Sequence, residues 1–417
     1  MTNKKVLLLT IGLPDIDQGG SGIFNYLVVK YLIENGYKPK AVFLAPKKFI
    51  EKHINSSYLS KLCQLGLEYE IISDDTSITE RFFTFRPSQI PFGLGFLKII
   101  ADYWPCKNFM DENIDNLREY DFAISQGLGW AMALQGQPIK SLSILPDDLR
   151  QKARFLIIRN INSREIISKD FAVNIFSYIN LVFAYKKFYK IFFSKLNLIG
   201  SFSPYSVSQY IDLGIICKHY KWFTPSGKLN DIATSFGNIN DNKIKIVSLG
   251  SLQSTAGLTF SDGMDLILRS LTRLNRNISY EIIGKSPIEI QAAPIFKNKL
   301  VVRYLGFVDR LDEILSDAQF LVVPNNYPIG VRTRILTGLS YGLIVIAHKS
   351  SVFGLPELVS GKEIFYFNDE VEIAEILEFL FSDSIDISKY RANAFSAWKK
   401  YYNPENNISE LVRTLTD

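Results

Sequence analysis

Cysteine and histidine are scarce in this chain of 417 residues, with three of each. Cys63, Cys106 and Cys217 stand far apart and form no CxxC pair. That usage excludes a disulfide-stapled scaffold and fits a reducing compartment with buried thiols. His53, His219 and His348 belong to no HExxH segment, no DxD motif stands at a strand end, and no Cys/His cluster exists, so no metal site is expected. A GxSxG elbow is absent, which removes the serine hydrolases built on it. Asp147 and Asp148 lie in a turn-like "PDD" and do not amount to a glycosidase pair. Long apolar runs are missing as well. The opening "MTNKKVLLLTIGLPDIDQ" holds an apolar stretch of about six residues with no small-residue cleavage site, and reads as a buried first strand. Residues 171–200 are interrupted by Asn174, Asn180 and lysines, short of the roughly 18–20 apolar residues a span needs. A soluble, cytoplasmic protein is expected.

Charge of one sign is also lacking. A net charge of +5 falls short of the dense basic stripe of a nucleic-acid binder, so no nucleic-acid partner is expected, while attraction to anionic substrates or lipid head groups stays open. What is present is a globular composition, with 47% apolar and 21% charged residues. A chain of this length accommodates two domains of about 200 residues each.

Both halves of the chain alternate short apolar strands with helical patterns. In the first, "KKVLLLTIG" is a strand, a glycine loop follows, and "IFNYLVVKYLIENGY" places Phe24, Leu27, Val28, Tyr31 and Leu32 at helical spacing before Gly36. "KPKAVFLAP", "YDFAISQG" (120–127) and "RFLIIRN" (154–160) read as further strands. "LNLIGSFSPYSVSQYIDLG" (196–214) reads as strand, turn and helix, started at Ser203–Pro204 and stopped at Gly214. The segment 223–242 is rich in Gly, Ser, Asn and Asp and reads as a linker. Beyond it "KIKIVSLGSL", "ISYEIIGKSP", "LVVRYLGFV" and "QFLVVPNN" are strands, separated by helices over "GMDLILRSLTRLN" and "RLDEILSDA". "DEVEIAEILEFLFSD" is another helix. This grammar predicts α/β architecture: two doubly wound, Rossmann-like domains, with parallel sheets covered on both faces and ligands at the carboxyl ends of the strands.

One stretch carries chemistry. In "NNYPIGVRTRILTGLSYGLIVIAHKS" (325–350), Gly330 permits close backbone approach, and the helix that follows leaves its first N–H groups free, an anion site. Arg332 and Arg334 at that end oppose the helix dipole unless an anion or carboxylate is near. Guanidinium matches phosphate oxygens in paired geometry. The competing expectation is that both arginines are solvated or pair with Asp317 or Glu313.

The order "LGSL…GMDLILRSL…YEIIGKSP…RYLGFVDRLDEILSDAQFLVVPNNYPIGVRTRILTGLSYGLIVIAHKSSVFGLPELVSGKEIFYF" resembles the donor-binding domain of family 4 glycosyltransferases (glycosyl transferases group 1). "QGGSGIFNYLVVKYLIENGY" is similar to that family's opening. The resemblance implies the GT-B fold, two domains facing each other across a cleft. Residues 1–222 would form the acceptor side, 223–242 the linker and 243–395 the donor side, with a last helix in 396–417 crossing back. It implies a nucleotide-diphosphate sugar as co-substrate and no further cofactor. Gly330, Val331, Arg332, Thr333 and Arg334 would meet the diphosphate. Gly306, Phe307 and Val308 would cradle the base, and a plain core strand is the competing reading of Phe307. Gly250 and Ser251 would lie at the phosphates, and Gly19, Gly20, Ser21 and Gly22 would face donor and acceptor.

The departures are specific. Where many members carry a glutamate pair, this chain has Ile329 and Thr337, the latter at the place that contacts donor ribose. The arginine and lysine usual in the first phosphate loop are Ser251 and Asp262. Gln126 stands where many relatives place a histidine. His348, ending a strand at the cleft edge, is the candidate to touch sugar or phosphate, so Arg332, Arg334 and His348 make up the expected catalytic set. His53 is expected at the surface and His219 in a structural place. The basic aromatic segment "YKKFYKIFFSK" (185–195) fits peripheral contact with an anionic membrane, or else a part-buried helix with solvated lysines. The reading is a metal-independent, retaining hexosyltransferase acting on a glycan or lipid-linked acceptor in polysaccharide or lipopolysaccharide biosynthesis. The alternatives are a non-catalytic GT-B partner subunit or carbohydrate-binding scaffold and, on fold analogy alone, a nucleotide-sugar epimerase.

Overall fold

The computed structural model describes residues 3–16, 19–73, 97–147, 149–162, 175, 178–179, 182, 188–227, 244–250, 255–274, 276–284, 295–297, 299–308, 310–328, 330–382 and 384–417. Two compact units divide the chain: Met1–Tyr220 with Ile408–Asp417, and Lys221–Asn407. Most of the segment read as a linker, residues 228–242, lies outside the described residues.

The first unit is built on β1 (Lys5–Ile11), β2 (Lys38–Ala45), β3 (Glu68–Ser73), β4 (Phe122–Gln126), β5 (Ser141–Ile144), β6 (Leu198–Ser201) and β7 (Lys218–His219). They form one parallel sheet in the order β3-β2-β1-β4-β5-β6-β7. Val6–Leu9 are buried on both faces because helices cover both, which is why β1 reads as a continuous apolar run. The helices are α1 (Gly20–Glu34), α2 (Lys47–His53), α3 (Ser57–Gln64), α4 (Leu97–Glu112), α5 (Leu128–Leu134), α6 (Leu149–Asn162) and α7 (Pro204–Asp212). Helix α1 buries Phe24, Leu27, Val28 and Leu32, one stripe at helical spacing. Helix α7 starts as its sequence dictates: Pro204 takes the first turn, and the Ser203 hydroxyl accepts from the Ser206 N–H at 3.4 Å.

One element departs from its pattern. Residues 154–160 lie inside helix α6, not in a strand. A seven-residue apolar window suits either structure, and the flanking "LRQKA", all helix formers without Gly or Pro, extends the helix through it.

The second unit holds β8 (Ile244–Leu249), β9 (Ile278–Ile283), β10 (Ile295–Lys297), β11 (Leu300–Gly306), β12 (Phe320–Val323), β13 (Ile344–His348) and β14 (Phe365–Phe367). Their order is β10-β11-β9-β8-β12-β13-β14, parallel except for the antiparallel edge strand β10. Its helices are α8 (Thr255–Arg273), α9 (Leu311–Ser316), α10 (Thr333–Ser340), α11 (Glu370–Leu380) and α12 (Ile387–Ala397). On α8, Phe260, Met264, Ile267 and Leu271 form a stripe packed with Ile246, Tyr280 and Ile282 of the sheet. Burying each such side chain fully is worth about 1.5–3 kcal/mol.

Residues Trp398–Tyr402 form a π-helical turn. Trp398 Nε1 donates to Thr224 Oγ1 at 3.1 Å, and the Tyr402 hydroxyl donates to Glu357 Oε2 at 3.1 Å. Lys221 Nζ lies 3.4 Å from the other Glu357 oxygen. Chain entry and chain exit of the second unit are thereby fastened together. Helix α13 (Pro404–Thr416) starts in the second unit and ends in the first, where Lys218 pairs with Glu410 at 3.0 Å and the Tyr220 hydroxyl donates to Thr414 Oγ1 at 3.1 Å. Among the described residues no helix is long and apolar enough to cross a membrane.

Candidate active site

In the second unit the chain runs from β8 outward through β9 to β11, then returns to lay β12 on the opposite side of β8. The crevice outside the carboxyl ends of β8 and β12 is therefore the topological switch point, where an open α/β sheet binds its ligand. Gly250 follows β8, Asn325 follows β12, and Arg334 lies in the first turn of α10. These three meet. Arg334 Nη1 donates to Asn325 Oδ1 at 3.2 Å, and its guanidinium carbon sits 5.5 Å from the ring centroid of Phe260. A Cβ on Gly250 would stand 2.7 Å from Arg334 Nη1 and 2.8 Å from the Phe260 ring, so only glycine lets the guanidinium pass there.

The backbone reaches α10 through Gly330 at φ 59°, a left-handed conformation that glycine adopts without a steric penalty. Arg332 is the N-cap residue. Its side chain supplies no cap bond, and no acidic residue stands in the first turn. Arg332 is 6% exposed and donates from Nη2 to the Tyr327 carbonyl at 2.9 Å. Asp317 pairs with Lys245 and Glu313 with Arg310, so neither carboxylate that could have neutralised the arginines is engaged with them. Among the described residues no carboxylate lies within ion-pair distance of Arg334. Burial, and then the neighbouring Arg332, push the Arg334 pKa down to about 9. Two guanidinium groups crowded at a helix N-terminus, with no carboxylate on Arg334 among the described residues, make a strongly anion-attracting site.

Residues 244–383 match the sequence model of a family described as glycosyl transferases group 1. The whole chain superposes on solved GT-B structures. Anabaena HepE in complex with UDP and glucose matches with a TM-score of 0.59 at 14% identity, over 99% of this chain and 100% of that one. A glycosyltransferase from Rickettsia africae gives 0.62 at 12% identity, over 100% and 98%. The lipopolysaccharide outer core galactosyltransferase WaaB gives 0.59 at 10% identity, over 98% and 99%. The fold is GT-B, and the segment 244–383 within its second unit is the part that resembles group 1 glycosyltransferases. No curated protein matches the chain in sequence.

Within the matched segment, Val331 and Thr333 flank Arg332 as the sequence places them. Thr337 sits one turn on, its hydroxyl donating to the Thr333 carbonyl at 3.2 Å. Ser251 and Ile329 lie outside the described residues, and Asp262 falls within α8. Gly306 ends β11 at φ 67°, and its carbonyl accepts from the Gly284 N–H at 2.7 Å. Phe307 is 53% exposed and Val308 part-buried, so Phe307 is not the core residue of the competing reading. His348 is not gathered with the arginines. Its Nδ1 accepts from the Ser350 N–H at 3.2 Å, capping the turn Lys349–Val352, and the ring meets Phe367 edge-on. Burial lowers its pKa, opposed by a backbone hydrogen bond at Asn368 and the charge of Glu372. The sequence reading missed Asn325 and Phe260, which hold Arg334. Asn325, fully buried at the end of the strand in "VVPNN", carried the signal.

In the first unit of the GT-B fold, Gly19 caps α1 at φ 93°, followed by Gly20, exposed Ser21 and buried Gly22. A Cβ on Gly22 would lie 2.0 Å from the Asp15 carbonyl oxygen, which makes that glycine a packing requirement. Gln126 ends β4 with Oε1 buried and without a hydrogen-bond partner. His219 Nε2 lies 3.2 Å from the Phe202 carbonyl, a structural place. His53, expected at the surface, is instead nearly buried: its side chain is 11% exposed and its Nδ1 is 3.5 Å from Asp15 Oδ2. The polar look of "KKFIEKH" misled because α2 turns Phe49, Ile50 and His53 partly inward while its lysines and Glu51 stay exposed.

Of the basic aromatic segment, Tyr185, Lys186 and Lys187 lie outside the described residues. Phe188, Tyr189 and Phe193 are buried against Val207, Tyr210 and Ile215, while Lys190, Ile191 and Lys195 are exposed.

Proposed function

We propose that this protein transfers a sugar from a nucleotide-diphosphate sugar to a glycan or lipid-linked acceptor, with retention of anomeric configuration and without a metal ion. The observation that carries the reading is the pair Arg332 and Arg334, held at the N-terminus of α10 at the switch point with no carboxylate on Arg334 among the described residues. Solved GT-B neighbours described in complex with UDP and with UDP-glucose support a uridine diphosphate donor as the first one to test.

In this reading Gly330 and the free amides of α10 receive the diphosphate, and both guanidinium groups meet the charge that grows on it as the bond to the anomeric carbon breaks. The electron pair of that bond leaves with the diphosphate. The acceptor oxygen bonds to the anomeric carbon from the same face, and its proton passes to the departing phosphate oxygen. No side-chain base is required, which suits a site where His348 is committed to its own turn. Exposed Phe307 offers a ring to the base. The cytoplasmic face of a membrane is the proposed place of action, with Lys190, Ile191 and Lys195 as the surface touching anionic lipid.

A second reading, a GT-B subunit that binds but does not transfer, is favoured by one observation. Thr337, where the resemblance expects a ribose-binding glutamate, is bonded back to its own helix. One experiment separates the two. The purified chain is incubated with a panel of nucleotide sugars while nucleotide release is followed. Release with at least one donor, with a thermal shift by its nucleotide diphosphate, is expected. A thermal shift without release supports the second reading, and neither response refutes the assignment of the arginines to a diphosphate.

A further inference from the structure

At the carboxyl end of β13 the chain makes one 3₁₀ turn, Lys349–Val352, whose Ser350 N–H donates to His348 Nδ1 at 3.2 Å. A backbone N–H only donates, so Nδ1 must present a bare lone pair and the ring proton sits on Nε2. The imidazole also bonds the backbone of Asn368 and feels the charge of Glu372 on α11, whose carboxylate accepts from the Asn368 N–H at 2.6 Å. The strands beside β13, β12 and β14, bring Val323 and Phe367 to this end. Lys349 is exposed, and Arg391 of α12 donates to the Gly342 carbonyl, before the opposite end of the strand.

Two contacts lead from this turn to the arginines. Buried Ser351 donates from Oγ to the Asn325 carbonyl at 2.8 Å, and the Asn325 side chain accepts from Arg334 Nη1. Just past the turn, a Cβ on Gly354 would stand 3.1 Å from the Gly330 carbonyl oxygen and 3.2 Å from Val331 Cγ2, so the backbone here lies against the loop that opens α10. One short turn thus supports both the residue that holds Arg334 and the glycine loop beside it. Four residues of 3₁₀ helix have few internal hydrogen bonds to hold them, so the cap counts for more than it would on a long helix.

We propose that His348 is a positioning residue for the diphosphate, holding Arg334 and Gly330 in place through Ser351, Asn325 and Gly354 only while its imidazole is neutral. A second proton goes to Nδ1. The Ser350 N–H then faces another donor, and the turn loses its cap. Burial holds the His348 pKa below the ordinary histidine value, against the opposing pull of Asn368 and Glu372. The capped form is therefore complete at neutral pH and is lost as the pH falls through that lowered pKa, so diphosphate affinity falls over the same acidic range. The diphosphate rests on the transferase reading. The relay from His348 to Arg334 does not.

The test uses the full chain with UDP-glucose, GDP-mannose and ADP-glucose as probes, because a diphosphate bonded at both ends has no ionisation of its own in the range titrated. Wild type is compared with His348→Asn, whose Oδ1 accepts from the Ser350 N–H at any pH, by calorimetric titration at about pH 7.5 and about pH 5. Affinity for at least one probe is expected to fall about fivefold in the wild type at the lower pH and to stay level in His348→Asn. At the higher pH, His348→Ala and Ser351→Ala should each bind about fivefold more weakly than wild type, and the double variant no more weakly than either. Hydrogen exchange over 325–334 and 348–354 is the second readout, faster in wild type than in His348→Asn at the lower pH and equal at the higher. Equal pH profiles of affinity, equal exchange at the lower pH, or additive losses in the double variant overturns the proposal. Should the wild type bind none of the three probes while the exchange difference holds, the diphosphate reading falls and the relay stands.

Discussion

Replacing Arg334 with methionine separates a functional arginine from a structural one, because the two roles predict opposite signs. Arg334 has its pKa pushed down to about 9, more than three units below the ordinary guanidinium value, first by burial and then by Arg332. At about 1.4 kcal/mol per tenfold change in proton affinity, that displacement corresponds to an unfavourable burden on the order of 5 kcal/mol. Methionine removes the burden and keeps much of the volume. Against this stand the ring contact with Phe260, about 0.5–2 kcal/mol, and the bond to Asn325, whose unmet oxygen costs about 1–3 kcal/mol. The balance is a gain of about 1–2 kcal/mol in the unliganded protein. Since about 2–4 °C accompany each kcal/mol in a domain of 150–250 residues, a rise of several degrees is expected by calorimetry. The folded pKa lies below the unfolded one, so the burden is fully present below pH 9 and fades only as the pH climbs from there toward the ordinary guanidinium value. The gain should accordingly be constant between pH 6 and 8. Affinity for UDP, titrated in the same buffer, should fall by roughly 10- to 150-fold, the worth of a charge-assisted hydrogen bond of about 1.5–3 kcal/mol. A lower melting temperature with unchanged UDP affinity would refute the reasoning, since Arg334 would then be a strut.

Phe307→Ala should leave the melting temperature within a degree or two, because the ring is exposed, and should weaken nucleotide binding about tenfold through lost stacking; unchanged affinity removes Phe307 from the base site. In liposome sedimentation the protein should pellet with anionic vesicles and be released as salt rises, since each basic residue near the surface contributes about 1 kcal/mol. Equal recovery in the supernatant with neutral and anionic vesicles counts against a membrane surface at residues 188–195.

The amino-acid pattern alone determined the two doubly wound sheets, because strand and helix periods are local: Val6–Leu9 and Phe320–Val323 read as strands buried on both sides before any contact is known. It also placed the Gly330–Arg334 loop at a carboxyl edge of the sheet, since the strand–glycine–helix order does so whatever the packing. Residues 154–160 mark where local reading fails, as seven apolar residues carry no period of their own. Tertiary structure decided the rest. That Gly250 is required by a guanidinium from α10, that Arg334 bears an unneutralised charge, and that Asp15 meets His53 from another strand's helix are relations through space. Desolvation and charge pairing depend on what surrounds a group in three dimensions, and a linear pattern does not encode which distant residue that will be.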